Sequence, residues 1–254
     1  MAFVDFLAFV EVTLLIGAAL LGYVGVLAYL SMRKNDPTGV KNVLKGAAIP
    51  VGSVGLIATT LGVWGEMAWP LPGSYNILFF DTYVLFGAAF LVLGISMAFS
   101  LKLQYTGFFS LLSGGVVIAY GWNGYVAGMT KDPFDTLLLY AGFGLAAIMA
   151  FPATIIVDHF LSHANPTSNV FGTPTSLARR APAFRASARA AQPVVPTGGS
   201  ETSSTESDIP PIKFRLPLYF PITVIAFVVV VGLAAIAALW YLDLTLPAHL
   251  AFAP

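Results

Sequence analysis

Residues 83–122 read YVLFGAAFLVLGISMAFSLKLQYTGFFSLLSGGVVIAYGW, and Lys102 is the single charged residue among them. A spanning helix needs roughly 20 mainly apolar residues. This stretch holds two such runs back to back, Tyr83–Leu101 and Leu103–Trp122, joined at one lysine. Transmembrane strands would need runs of about 10 residues alternating polar and apolar. These runs are longer and apolar on every side, so a helical hairpin is expected.

Working outward, four more runs qualify: Phe6–Leu30, Leu44–Trp64, Thr136–Val157 and Pro217–Tyr241. The expected fold is therefore all-α, a polytopic bundle of six transmembrane helices. Composition agrees, since 57% of the 254 residues are hydrophobic and 9% are charged. Soluble domains run nearer ~45–50% and ~25%. Too few charges remain to coat a water-facing surface, and zero net charge leaves no basic excess for nucleic acid. Cysteine is absent, which excludes disulfides, thiolate nucleophiles and cysteine-ligated metal centres. The first run follows Asp5 with no preceding Lys or Arg, unlike a signal peptide, and is read as a retained span.

Basic residues set the expected direction, because translocating them is disfavoured. Arg33, Lys34, Lys41, Lys45, Lys102, Arg179, Arg180, Arg185, Arg189, Lys213 and Arg215 fall on one side of a six-span layout, and only Lys131 falls on the other. The layout predicts both termini outside, in the cytoplasmic membrane. Trp64, Trp69, Trp122 and Trp240 fall at the outer ends of their spans, where amphipathic rings sit at headgroup level. Three segments are expected: a five-helix bundle over 1–163, a disordered inside-facing linker over 164–214, and a sixth helix with a short outside tail over 215–254. The linker is rich in Pro, Ser, Thr and Ala, and its Arg179, Arg180, Arg185 and Arg189 suit contact with an anionic inner leaflet.

Spans two and three resemble spans four and five. Each pair carries a tryptophan, a proline-bearing outer loop and a Phe-Asp-Thr triplet, Phe80-Asp81-Thr82 and Phe134-Asp135-Thr136. A parallel repeat of hairpins is the candidate explanation. The plainest role for both aspartates is capping of a helix start, worth about 1 kcal/mol.

The segment Trp69-Pro70-Leu71-Pro72-Gly73-Ser74-Tyr75-Asn76 prescribes a turn, and a lid over the bundle is expected from Trp69, Pro70, Pro72, Tyr75 and Asn76. With the span layout, this stretch resembles an archaeal and bacterial integral-membrane family known as domain of unknown function 981. That family carries Phe-Gly-Asp a few residues on, where this chain has Phe80 in place of the glycine. The resemblance implies a multi-helix bundle and no established activity.

An ionisable group inside a bilayer is a functional candidate by default. Glu11 lies two turns into the first span, with Tyr83, Tyr120 and Asn123 as candidate partners at similar depth. Glu66, Asp81 and Asp135 fall near the outer face, and with Glu11 they form the candidate proton or cation site. Oxygen ligands suit a hard divalent cation. Asp158, His159 and His163 end span five, and histidines at i and i+4 have metal-ligand spacing, though interface chemistry at a helix C-terminus explains them as well. No haem is expected, because His159, His163 and His249 are the only histidines and lie at span edges. No cofactor is otherwise expected, apart from a divalent cation. Gly52-Ser53-Val54-Gly55 and Ser113-Gly114-Gly115 are read as close helix packing.

No nucleophile–base pair stands out, so an enzyme is disfavoured. The first functional expectation is an accessory or structural subunit of a larger membrane complex, such as a respiratory one. Its partners would be the lipid bilayer and other membrane subunits or further copies of itself. The alternative is a small proton or cation transporter or channel using the acidic residues.

Overall fold

In the computed structural model residues 6–163 and 219–251 are described, and every described element is helical. The helices are α1 (Phe6–Arg33), α2 (Pro37–Ala68), α3 (Ser74–Ala98), α4 (Leu103–Val126), α5 (Pro133–His163) and α6 (Tyr219–Ala251). Among the described residues six helices are long and apolar enough to cross a membrane, as the sequence predicts. The linker, its four arginines and Asp5 lie outside the described residues.

The helices overrun the apolar spans because their ends carry polar stop and start signals. Asp36 caps α2: its Oδ1 accepts from the Gly39 N–H at 2.8 Å, and Pro37 occupies the first turn, where its missing N–H is not needed. That signal starts α2 seven residues before Leu44. A left-handed residue follows each of α1 to α4: Asn35 (φ 56°), Trp69 (φ 48°), Ser100 (φ 54°) and Gly128 (φ 59°). Each reverses the chain while the carbonyls of the last turn find donors, as where Leu101 N–H reaches Ser96 O at 2.9 Å and Met129 N–H reaches Gly124 O at 3.0 Å. At the far end of the chain α6 runs on past Tyr241 to Ala251.

Helix pairs α2–α3 and α4–α5 make the two most extensive contacts. Lipid tails are as apolar as leucine, so association in a membrane relies on close backbone approach. Small residues supply it in both hairpins. A Cβ on Gly94 would lie 2.5 Å from the Cα of Gly52, and a Cβ on Gly114 would lie 2.5 Å from the Gly144 carbonyl oxygen. In α4 the contact glycines Gly107, Gly114 and Gly121 recur every seven residues, the period that keeps one seam of a helix facing its partner.

Between the hairpins, α1 packs on α2 and on α6, α3 on α4, and α5 on α6. The six helices thereby close a ring. The sequence reading sets the last helix apart from a five-helix bundle; here α6 fills the gap between α1 and α5. Gly25 and Gly142 admit it, with Val228 and Ala234 of α6 against their backbones.

Candidate functional site

Two features stand out, a polar cluster and an apolar cavity, and the cluster occupies the end of the ring where α2 and α4 finish, the end carrying Trp64, Trp69 and Trp122, all exposed. The first is the start of α3. Ile77–Asp81 forms a π-helical turn, one residue wider than an α-turn. Asp81 has helical dihedrals and makes no side-chain cap, so the capping role expected for it does not hold. Its Oδ2 instead accepts from the Tyr120 hydroxyl of α4 at 2.7 Å. Glu66 of α2 lies in hydrogen-bonding contact with Asp81, and Glu66 Oε1 is buried with no hydrogen-bond partner. Two carboxyls in such contact need a proton or cation between them. The wide turn also presents the Leu78 carbonyl, which accepts from the Tyr140 hydroxyl of α5 at 2.7 Å and from Thr82 Oγ1 at 2.9 Å. One turn of α3 therefore ties the first hairpin to both helices of the second.

The loop before this turn is held by Asn76, which is fully buried. Its Nδ2 donates to Gly65 O at 3.1 Å, and its Oδ1 accepts from Leu71 N–H at 3.2 Å. Gly65 is needed for a second reason, since a Cβ there would overlap the ring of Phe80, which is 1% exposed. Phe80, where the resemblance expects glycine, is accommodated by the glycine opposite it. Trp69, Pro70, Pro72 and Tyr75 remain exposed around this clamp.

The second feature is a cavity of about 200 Å³ inside the ring, walled by α1, α3, α4, α5 and α6 with Leu44 of α2. Its wall is overwhelmingly apolar. Along α3 the wall runs from Phe79 to Met97, and along α1 from Leu7 to Met32. Glu11 (6% exposed) and Tyr83 (2% exposed) stand on it toward the tryptophan end. The Tyr83 hydroxyl is buried in side-chain contact with Thr13, whose Oγ1 donates to Phe9 O at 2.8 Å. Phe86 continues the aromatic wall, with its ring 4.4 Å from Phe90 and edge-on to Phe143 at 6.1 Å.

The four expected acids thus divide. Glu66 and Asp81 come together, and Tyr120 joins them. Glu11 lines the cavity with Tyr83. Asp135 sits in the first turn of α5, where the neighbouring Thr136 Oγ1 bonds to Thr130 Oγ1 at 2.8 Å. Of the partners expected for Glu11, Tyr120 serves Asp81, and Asn123 Nδ2 donates to Ala119 O of its own helix.

At the opposite end, Asp158 Oδ2 accepts from the Gln104 N–H at 2.8 Å. It caps α4 from α5, a task sequence reading missed because the cap lies 54 residues from the helix start it serves. His159 and His163 stack with ring centroids 4.0 Å apart, and His163 Nδ1 lies 2.9 Å from His159 O. Among the described residues no group of three or more His, Cys, Asp or Glu could hold a metal ion.

A ring of six apolar helices around an apolar cavity defines a polytopic, all-helical protein of the membrane type. Residues 1–164 match the model of the family described as protein of unknown function (DUF981), and the chain belongs to that family. Comparison with curated proteins and with solved structures finds no match.

Proposed function

We propose that this chain is an accessory subunit of a larger membrane complex, placed in the cytoplasmic membrane with both termini outside. The apolar wall of the central cavity carries this reading. A water-filled channel needs polar groups along its length, whereas here the lining polar groups away from the tryptophan end are isolated hydroxyls, Thr106, Ser110, Ser113 and Thr154, in an otherwise apolar wall. Mild-detergent purification from native membranes followed by mass spectrometry tests it. Stoichiometric co-purification of one set of membrane proteins is expected, and recovery of the chain alone would overturn the reading. The absence of cysteine makes orientation directly testable with single introduced thiols: Ser74→Cys should react with an impermeant reagent in intact cells and Lys41→Cys should not.

A second reading, as a small proton or cation transporter, is favoured by the contact of Glu66 with Asp81 under the Tyr120 hydroxyl. The pair would exchange a proton or cation at one membrane surface. In proteoliposomes carrying a pH-sensitive dye, Glu66→Gln should then abolish an ion-driven pH change that wild type supports. Absence of such a change in wild type would remove this reading.

A further inference from the structure

We propose that the contact of Glu66 with Asp81 is a proton-operated latch: one shared proton holds the loop over residues 69–76 against the bundle, and loss of that proton releases it. Glu66 lies in the last turn of α2, and Asp81 ends the wide turn that opens α3. The two acids therefore stand at the two feet of this loop and meet there. Beside them the loop is tied to α2 by Asn76, whose Nδ2 donates at 3.1 Å to Gly65 O, the residue next to Glu66. Pro70, Pro72, Gly73, Ser74 and Tyr75 are exposed, so the loop is free to move once its feet part. The wide turn is itself a form met most often at functional positions.

The bonds around the pair locate the proton. Asp81 Oδ2 accepts from the Tyr120 hydroxyl at 2.7 Å, which marks Asp81 as the ionised partner. The proton therefore rides on Glu66, which donates it to Asp81. Glu66 Oε1 is buried and has no hydrogen-bond partner among the described residues, so a negative charge on Glu66 would find little to stabilise it. The packed elements bring no counter-charge. From α1 comes Glu11 on the cavity wall, from α5 comes Asp135 in its first turn, and the 127–132 loop carries Lys131 and Asp132. Among the described residues the charge that bears on Glu66 is that of Asp81, and those that bear on Tyr120 are Asp81 and Glu66. When Glu66 loses its proton, two carboxylates face each other and must separate. The closed loop holds one proton more than the open one, so closure is complete at low pH and is lost as pH rises. The latch rests on the same shared proton as the transport reading, but not on ion flux.

The test uses the full chain in nanodiscs with a nitroxide label on Ser74→Cys, a single thiol in a chain without cysteine. Spectra are recorded from about pH 4 to about pH 9, a span that brackets carboxyl titration. The ratio of mobile to restrained label should rise with pH by up to about ten-fold per unit, the limit for release of one proton. Glu66→Gln keeps a donor to Asp81 with no proton to lose, so its loop should stay restrained throughout. Asp81→Asn removes the second charge and should also abolish the response, which serves if Glu66→Gln does not fold. A label on Ala127→Cys, in the exposed loop after α4, should not respond. The readout contains no flux, so failure of the latch and failure of the transport reading are told apart. A Ser74 label that ignores pH, a response that survives in Glu66→Gln or Asp81→Asn, or a response shared by the Ala127 label would each overturn the proposal. So would a response abolished by EDTA, which would put a divalent cation where the proton is.

Discussion

The Tyr120 hydroxyl donates to Asp81 Oδ2 at 2.7 Å, and this bond joins the second hairpin to the first at a residue that local sequence would make a helix cap. Interhelical hydrogen bonds in membranes average about 0.6 kcal/mol and reach about 1.7. Because the acceptor is a carboxylate, the upper part of that range applies. Tyr120→Phe should therefore lower stability by about 1–2 kcal/mol, read as the midpoint of unfolding in mixed detergent. If Tyr120→Phe and Asp81→Ala each destabilise and the double variant loses the full sum, the two residues are not coupled.

Asn76 is the clamp of the outer loop. Its replacement by Leu keeps the volume but strips the Leu71 N–H of its acceptor and removes one of the two donors to Gly65 O, which keeps the Trp69 N–H at 3.0 Å. Such losses run to about 1–3 kcal/mol per group. Thermal unfolding should show a clear loss, and limited proteolysis should begin near Pro70–Gly73. A variant as stable and as resistant as wild type would show that the loop is held by its prolines alone.

Adjacent glycines on α4 should respond in opposite ways. Gly114 abuts the Gly144 carbonyl, whereas a Cβ on Gly115 meets nothing within 4 Å. Gly114→Ala is expected to cost about 1–3 kcal/mol through overpacking, while Gly115→Ala should gain up to about 1 kcal/mol in helix propensity. Equal effects in a chemical-unfolding series would contradict the close α4–α5 seam.

Asp158 should behave as a cap. Asp158→Ala removes the acceptor for the first turn of α4 and should cost about 1 kcal/mol. Asp158→Asn keeps an acceptor oxygen and should recover part of it. If His159→Ala, His163→Ala and Asp158→Ala instead all released a stoichiometric metal from the purified protein, the role would be ligation.

The spans were legible because a run of apolar residues is a local signal, and Tyr83–Leu101 with Leu103–Trp122 needs no partner to be read. The packing role of Gly52, Gly55 and Gly114 was legible for the same reason: small residues in a lipid-facing helix have few other uses. The extent of α2 and α3 was not, because Asp36 and Ser74 start helices in polar segments that hydropathy scores as loop. The site was read only in part. The sequence places Glu66 and Asp81 together at the outer face but offers Tyr120 to Glu11, because depth along a span says nothing about rotation around it. The left-handed Trp69 and Ser100 carry no sequence signature, unlike Asn35 and Gly128. Asp158 and Tyr140 act through groups 54 and 62 residues away, beyond any local pattern.

The widened turn at Ile77–Asp81 has a consequence for how this protein tolerates change in length. One surplus residue is absorbed there, and an α-helix advances about 100° per residue. Deleting a single position within 77–81 would therefore let α3 close into ordinary turns and leave Tyr83, Phe86 and Phe90 in nearly the same register against the loop clamped by Asn76. The same deletion beyond the wide turn would instead rotate every later residue of α3 by about 100° and carry the inner wall out of place. The turn works as slack between two fixed parts, so a length change is tolerated there and nowhere else along α3.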